Sequence, residues 1–207
     1  MSDVTPTVFL VDDDPSVLKA LVRLVRSAGF HAEAFASPRE FLARERGDGP
    51  SCAVLDLRMP EIDGLALQTM LATVGDEMPV IFLSGRGDIP VSVAAMKAGA
   101  VDFLTKPCDD TTLLAAIRHA LDRDARARAA RMAHEDVEAR FASLTARERQ
   151  VCDLVAAGLL NKQAAFDLGI TEKTVKVHRA RVMQKLGVDS LADLVRLVES
   201  FKAAPKR

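Results

Sequence analysis

The sequence predicts two domains, an α/β domain with a five-stranded parallel sheet and a small all-helical domain, joined by a long helix. The first half of the chain alternates short apolar runs with longer segments of helical period, which is typical of βαβ units. From Asp109 to Phe141 the chain is rich in Ala and Arg and contains neither Gly nor Pro. Short helical stretches separated by glycines follow. We therefore expect domains at residues 1–120 and 144–207, with a helical linker at 121–143.

At 207 residues and 49% hydrophobic composition, the chain is long enough to bury the cores of two small domains. The three cysteines are widely spaced and odd in number, so we expect reduced thiols and neither a disulfide framework nor a zinc site. No apolar run approaches the ~18 residues that a membrane span needs, and the N-terminus lacks a basic start followed by an apolar stretch. We expect a cytoplasmic protein with no membrane partner.

The net charge of −1 conceals a division of charge along the chain. Residues 1–120 carry 17 acidic and 11 basic side chains, a net charge of −6. Residues 144–207 carry 7 acidic and 12 basic side chains, a net charge of +5. This division favours cation or phosphate chemistry in the first domain and a polyanion partner for the second, although a charged surface can also serve solubility alone.

Five strands are expected in the first domain, each compact enough to be covered by helices on both faces. They are Val8–Val11, His31–Phe35, Cys52–Leu55, Val80–Leu83 and Val101–Leu104. Asp14 and Ser37 each precede a proline, a combination that predicts a capped helix start. Gly29 and Gly99 fit helix ends.

The linker helix would span roughly 50 Å at about 1.5 Å per residue if it is continuous. Its apolar positions recur at roughly helical spacing without a strict heptad. They are Ile117, Leu121, Ala125, Met132, Val137 and Phe141. Two interpretations stay open, a weak dimer seam and a solvated linker helix with no partner.

Polar residues stand at or directly after the ends of four of the expected strands. They are Asp12 and Asp13, Asp56, Ser84 and Lys106. Because ligands of doubly wound sheets bind at the carboxyl ends of the strands, these side chains are expected to share one crevice. Three carboxylates repel each other unless a cation neutralises them, and hard oxygen ligands suit Mg²⁺. The sequence therefore predicts a magnesium site, whereas Asp14 is expected to cap a helix.

The hydroxyl of Ser84 and the ammonium of Lys106 add hydrogen-bond donors to this acidic crevice. Such donors stabilise the equatorial oxygens of a phosphoryl group in transfer. The Asp56 carboxylate is the expected nucleophile, because the loose transition state demands positioning and charge neutralisation more than nucleophilic strength. Each residue taken singly also has a plain explanation as a solvated strand end or a loop residue.

The segments VDDDPSV, VLDLRMPEIDG, LSGRGD and MKAGAVDFLTKP resemble the receiver domain of bacterial response regulators over residues 7–120. The resemblance implies a flavodoxin-like fold with strand order 2-1-3-4-5, and phosphorylation of Asp56 by a sensor histidine kinase. It also implies Mg²⁺ ligands at Asp13, Asp56 and the backbone carbonyl of Arg58, with Asp12 assisting through water.

In such receivers Lys106 and Ser84 would contact the phosphoryl oxygens, and Ser84 and Phe103 would move together as a switch. Phe103 is equally consistent with a plain core residue, and the two roles are compatible. Three residues depart from the family pattern: Ser84 stands where Thr is common, Arg86 where His is common in close relatives, and Cys108 where Phe is usual. We expect phosphorylation to survive these departures and the dimer geometry to differ.

The segment NKQAAFDLGITEKTVKVHRARVMQKL has the features of a helix-turn-helix. Ala165 allows close approach of the helices, Gly169 allows the turn and Ile170 seals the corner. A helical wheel gives the second helix an apolar face made of Val175, Val182 and Leu186.

The opposite face of this second helix is basic, with the small residues Val177 and Ala180 at its centre, which would allow close approach to base edges. Lys176 and Arg181 are expected to donate to guanine, and Lys173 lies on the same face. The residues expected to contact phosphate are Asn161, Lys162, Thr174, Arg179 and Lys185. Without the turn signature, a basic face would more often serve solubility alone.

The segments LTARERQV, GLLNKQAAFDLGITEKTVKVHRARVMQKLGV and SLADLVRLV resemble the four-helix DNA-binding domain of the LuxR class. The whole chain resembles the FixJ/NarL group, and FixJ-type regulators most closely. The resemblance implies a regulator that forms a homodimer on phosphorylation, binds promoter DNA, contacts RNA polymerase and usually activates transcription. Ala180 lacks the charge that some relatives carry there, so their operator preference is not carried over.

Two other classes of function are less well supported by the sequence. A phosphatase or phosphotransferase of the haloacid-dehalogenase type would need an acid two residues after Asp56, where the chain has Arg58. An interaction module that acts without phosphorylation would not need the complete acidic pocket. We therefore expect a regulator that is not an enzyme acting on a substrate.

Overall fold

The computed structural model describes residues 5–45, 47–85 and 89–203. Arg86, one of the departures from the family pattern, lies outside these ranges. The chain divides into two compact units, Met1–Ala129 and Ala130–Arg207, and each is described by itself. Among the described helices, none combines the length and the apolar character needed to cross a membrane.

The first unit contains a parallel sheet whose five strands begin and end within one residue of the predicted positions. The strands are β1 (Thr7–Val11), β2 (His31–Phe35), β3 (Ser51–Asp56), β4 (Val80–Ser84) and β5 (Asp102–Thr105). Their order is β2-β1-β3-β4-β5, and every neighbouring pair is parallel. The predicted flavodoxin-like fold and strand order are confirmed.

Helices alternate with these strands and then continue alone to the end of the described chain. They are α1 (Pro15–Ser27), α2 (Pro38–Leu42), α3 (Gly64–Thr73), α4 (Ile89–Lys97), α5 (Asp110–Ala142), α6 (Ala146–Ala156), α7 (Asn161–Leu168), α8 (Glu172–Leu186) and α9 (Leu191–Ala203). The Asp14 and Ser37 side chains cap α1 and α2 by accepting from the backbone N–H groups of Ser16 and Glu40. Both predicted helix starts are therefore confirmed.

Hydrophobic residues cover both faces of the sheet, as the alternation of side chains along a strand requires. On β1, Val8 and Leu10 belong to the cluster that includes residues of α1 and α5. Phe9 and Val11 belong to a second cluster, which includes residues of α2 and α3. The central strands are buried on both sides, so their ends provide fixed positions for functional side chains.

Helix α5 contributes residues to the cores of both units. In the first unit Ile117 is completely buried, and the carboxylate of Asp124 accepts from the backbone N–H of Ser51 at 2.8 Å. Arg128 Nε donates to the same carboxylate at 2.6 Å. Asp124 is itself buried, so these contacts supply partners for a charge that would otherwise be costly inside the protein. They anchor the middle of α5 at the first residue of β3.

The core of the second unit begins on the last turns of α5. Phe141 is 2% exposed, and its ring stacks on that of Phe201 with the centroids 4.2 Å apart. The guanidinium of Arg149 lies 5.0 Å from the Phe141 ring centroid. A capping box then starts α6, in which the Thr145 hydroxyl accepts from the backbone N–H of Glu148 and the Glu148 carboxylate accepts from that of Thr145.

All three cysteines are free thiols, as expected. Cys52 and Cys152 are buried, and Cys108 is partly buried. Burial raises the pKa of each thiol, which favours the unreactive protonated form.

Candidate functional site

The ends of the central strands bring the predicted pocket residues to one edge of the sheet. Val11 pairs with Leu55, one residue before Asp12 and Asp56 respectively. Ser84 pairs with Thr105, and the backbone N–H of the next residue, Lys106, donates to the Ser84 carbonyl at 2.7 Å. The parallel register thus explains how residues far apart in sequence reach one crevice.

The ammonium of Lys106 lies between two of the predicted carboxylates. Its Nζ donates to Asp12 Oδ2 at 2.5 Å and to Asp56 Oδ1 at 2.7 Å. Burial alone would lower the pKa of Lys106, but the hydrogen bonds and negative charges of Asp12 and Asp56 outweigh it and raise that pKa. The lysine therefore stays charged and partly neutralises the carboxylates.

The Asp56 carboxylate is held in place from two directions. While Oδ1 accepts from Lys106, Oδ2 accepts from the backbone N–H of Arg58 at 2.7 Å. Asp56 is 9% exposed, so the residue is not completely closed to solvent. A nucleophile needs this combination of fixed orientation and open approach.

Gly64 allows the start of α3 to come close to Asp56, a feature that the sequence analysis did not identify. A Cβ atom on Gly64 would lie 2.5 Å from the Asp56 carbonyl oxygen and 2.9 Å from the Phe82 ring. The Gly64 N–H donates to the Leu57 carbonyl at 2.9 Å across this contact. The sequence signal was the Asp-Gly pair that ends the motif VLDLRMPEIDG.

The three consecutive aspartates after β1 have different surroundings. Asp12 is buried, and its Oδ1 accepts from the backbone N–H of Asp14 at 2.9 Å. Asp13 is exposed, and Asp14 is the N-cap of α1, as predicted. Hydrogen bonds from Ser16 lower the pKa of Asp14. Only Asp12 among the three contacts the Lys106 ammonium.

These oxygens are of the type that Mg²⁺ prefers, but they form a small set. No group of three or more His, Cys, Asp or Glu side chains in the described ranges is close enough to hold a metal ion. The expected direct ligands comprise two carboxylates, of Asp13 and Asp56, and a backbone carbonyl, of Arg58. The Asp12 and Asp56 oxygens already share one cation, Lys106, so the crevice fits positive charge.

The two predicted switch residues lie on β4 and β5. Ser84 is 1% exposed, and Phe103 is partly buried, with its ring centroid 6.1 Å from that of Phe82. Phe103 packs against the cluster that contains Phe82. This arrangement suits a core residue, and its role as a switch stays a prediction.

Helix α8 has the two faces that the sequence predicted. Its buried residues are Val175, Val182 and Leu186. The exposed residues include Lys173, Lys176, Val177, Ala180 and Arg181. Gly169 ends α7 in the left-handed conformation with φ 63°, and the Thr171 hydroxyl caps α8 by accepting from the Thr174 N–H at 3.1 Å. The exposed face of α8 is therefore basic, with Val177 and Ala180 at its centre.

The residues predicted to contact phosphate differ in the hydrogen bonds that they already make within the domain. Lys162 is exposed, whereas Arg179 of α8 donates to the Asn161 side chain at 3.5 Å. Lys185 Nζ donates to Glu148 at 2.7 Å and to the Ser143 carbonyl at 2.9 Å. Two of the three ammonium donors of Lys185 are thus used inside the domain, which favours a structural role.

Two family models match the chain and divide it between them. One, described as response regulator receiver domain, matches residues 8–118. The other, described as bacterial regulatory proteins, luxR family, matches residues 142–198.

Relatives and solved structures are similar to nearly the whole chain. The response regulator protein TodT of Pseudomonas putida is 46% identical over 202 residues, which cover 98% of this chain and 89% of TodT. The transcriptional regulatory protein FixJ of Azorhizobium caulinodans is 42% identical over 198 residues, which cover 96% of this chain and 94% of FixJ. The structure of the response regulator StyR has a TM-score of 0.90 and 50% identity, and covers 95% of this chain and 100% of StyR.

The chain belongs to the two-component response regulators of the FixJ/NarL type, with a receiver domain and a LuxR-family DNA-binding domain. Its class is therefore that of DNA-binding transcription regulators, and a histidine kinase and DNA are the partners that its two domains imply.

Proposed function

We propose that Asp56 accepts a phosphoryl group from a sensor histidine kinase, and that this controls dimerisation and promoter binding. The observation that carries the proposal is the bridge of Lys106 between Asp12 and Asp56 at the end of the sheet. The bridge supplies a fixed positive charge beside an oriented carboxylate. We assign the receiver to residues 1–120, the linker to 121–143 and the DNA-binding domain to 144–207.

In the proposed transfer a carboxylate oxygen of Asp56 attacks the phosphorus of a phosphohistidine. A P–O bond forms, the P–N bond breaks, and the histidine nitrogen keeps the electron pair. Lys106 would then turn from the carboxylate to a phosphoryl oxygen, and Ser84 would donate to another. The step needs positioning and charge neutralisation, and these residues supply both.

Receiver domains typically use Mg²⁺ for phosphorylation, and this chain has oxygens suited to it. Asp13, Asp56 and the backbone carbonyl of Arg58 would hold the ion, with Asp12 acting through water. When bound, the ion would neutralise charge on the transferring phosphoryl group. Asp12 would also keep Lys106 in the pocket through its 2.5 Å hydrogen bond.

A groove beside the pocket offers a place for the kinase to dock. It has a volume of about 610 Å³ and lies between α1 and the start of α5, with Leu21 and Leu24 on one side and Pro107 on the other. Lys106 also lines it, so a docked helix would lie next to the phosphorylation site. The mixed apolar and charged lining suits a transient protein partner.

An apolar stripe on α4 supports dimerisation of the receiver. Ile89, Val93 and Met96 are 76%, 46% and 46% exposed, and their spacing places them on one face of the helix. Exposed large apolar side chains in a row are typical of a protein interface. We propose that phosphorylation shifts Ser84 and Phe103 and thereby adjusts this surface.

The dimer would bring two copies of α8 to paired half-sites in promoter DNA. Base contacts would come from Lys173, Lys176, Val177, Ala180 and Arg181, and phosphate contacts from Asn161, Lys162, Thr174 and Arg179. Lys185 would add a phosphate contact only through its third ammonium donor, because the other two are used within the domain. Contact with RNA polymerase would then activate transcription.

The test uses the full chain with Mg²⁺ and acetyl phosphate as phosphodonor. We expect a phosphorylated species and a doubling of the mass measured by light scattering. Promoter fragments are first identified by sequencing the genomic DNA that the protein binds, and the phosphorylated chain should bind these fragments more tightly. Asp56→Asn should abolish all three, because the amide is not a nucleophile for phosphorus.

Asp63→Asn is the matched control, since Asp63 is an acid of the same loop that caps α3, and asparagine also caps helices. It should be phosphorylated as the wild type is. Equal mass and equal DNA affinity of the wild type with and without phosphodonor would contradict the proposed control.

A further inference from the structure

The ring of His178 on α8 has one nitrogen buried without a partner. Its Nδ1 is fully buried and makes no hydrogen bond. The other ring nitrogen, Nε2, makes no hydrogen bond to the described residues and is not among the buried atoms without a partner, so it is at least partly exposed. Because Nδ1 is buried, any contact that the ring makes outside the domain goes through Nε2.

His178 lies on α8 beside side chains that are proposed to face DNA. Thr174 precedes it by one helical turn, and Arg181 follows it by three residues, so all three lie along the same flank of α8. On the buried side it is bordered by Val175 and Val182. His178 therefore lies at the border between the buried face of α8 and the flank that carries Thr174 and Arg181.

Neutral imidazole carries one N–H, and the surroundings decide which nitrogen holds it. A buried N–H without an acceptor is rarer in proteins than a buried acceptor without a donor. The proton is thus favoured on Nε2, the nitrogen that reaches the surface, and Nε2 is left as a donor with no acceptor in the described chain.

We propose that His178 Nε2 donates a hydrogen bond to a DNA phosphate when α8 occupies the major groove. This inference rests on the proposed DNA-facing surface of α8 and adds to it a neutral contact. A lysine contact displaces a condensed counterion from DNA, whereas a neutral donor does not. The His178 contact would then fix the orientation of α8 with no contribution to the salt dependence of binding.

The experiment measures binding of the full chain to a duplex of random sequence at pH 8. His178→Leu should weaken binding by about fivefold to tenfold, the size of one lost hydrogen bond. The slope of log K against log salt should not change. The melting temperature of the domain should not fall, because leucine removes the unsatisfied Nδ1.

Two amide variants separate a donor at Nε2 from the shape of the ring. The amide nitrogen of glutamine can reach the position of Nε2, whereas that of asparagine reaches only the position of Nδ1. We expect His178→Gln to bind within about twofold of the wild type. His178→Asn should bind as weakly as His178→Leu.

Lys162→Gln is the matched control, because Lys162 is an exposed cation that is proposed to contact phosphate. It should reduce the salt slope by about 0.9. Full affinity of His178→Leu, or equal losses in the Gln and Asn variants, would overturn the His178 contact alone. Failure of the wild type to bind any duplex would instead overturn the DNA-facing surface.

Discussion

At the scale of single residues, the sequence predicted most of the acidic pocket, because parallel sheets place the carboxyl ends of their strands at one edge. Asp12, Asp56 and Lys106 come into contact for this reason. The contacts of buried acids were not predictable in the same way. Asp124 meets Ser51 across 73 residues of sequence, and no local pattern records such a pairing.

Gly64 is required because another chain segment occupies the space of a side chain. We expect Gly64→Ala to destabilise the receiver by about 1–3 kcal/mol, since the new methyl group would overlap the Asp56 carbonyl oxygen, 2.5 Å away. Denaturant unfolding would measure the loss. Gly47→Ala is the control, because a Cβ there meets nothing within 4 Å, and equal stability of the two variants would contradict the steric explanation.

Glu148 makes the stability of the second unit depend on pH. Its hydrogen bonds from Lys185 and Thr145 lower its pKa from 4.5 to about 2. Because the folded pKa lies below the unfolded one, the stabilisation is complete above about pH 4.5 and is lost as the pH falls towards about 2. We expect the melting temperature of this unit to fall over that interval.

Glu148→Gln should remove most of that dependence, because glutamine does not titrate. Glu199→Gln is the control, since Glu199 is an exposed acid of α9. A melting profile of Glu148→Gln that still follows the wild type between pH 4.5 and 2 would show that other acids are responsible.

At the scale of elements, the sequence predicted strand and helix positions well because capping residues and glycines mark their ends locally. The two faces of α8 followed from helical periodicity, whereas the order of the strands was predicted from the resemblance to receiver domains. The sequence pattern did not show which residues of α5 belong to the core of each unit. Phe141 appeared only as one apolar position of a linker, yet it is buried in the core of the second unit.

This burial predicts how fragments of the chain behave. A fragment of residues 130–207 retains Phe141 and its stack on Phe201 and should fold cooperatively. A fragment of residues 144–207 loses the Phe141 ring and should be less stable by about 3–5 kcal/mol, the cost of removing a buried phenylalanine.

Circular dichroism during heating would compare the two fragments. The variant Phe141→Ala in the longer fragment tests whether the ring itself, and not the length of helix, is responsible. Equal melting temperatures of the long and short fragments would mean that the aromatic stack contributes little.

At the scale of the whole molecule, the charge division in the sequence corresponds to the division of the chain into an acidic receiver and a basic DNA-binding domain. Each has its own hydrophobic clusters, two for the sheet and one for the helical unit. Separate cores can unfold separately.

We expect two unfolding transitions in scanning calorimetry, a method that does not need the tryptophan and tyrosine that the chain lacks. A phosphodonor with Mg²⁺ should raise the melting temperature of the receiver transition, because phosphorylation and the ion favour its folded state. The other transition should shift less. Asp56→Asn should remove the shift, and a single transition in all samples would contradict independent cores.

The bridge made by Lys106 leaves the resting pocket close to electrical balance. Two carboxylates and one ammonium carry a single net negative charge between them. Phosphorylation would replace the single negative charge of the Asp56 carboxylate by the two negative charges of an acyl phosphate. The net negative charge of the three groups would therefore double. On the proposed function, the chain stores its signal as a charge that Lys106 alone cannot balance. The signal would then end when hydrolysis of the acyl phosphate returns these groups to a single negative charge.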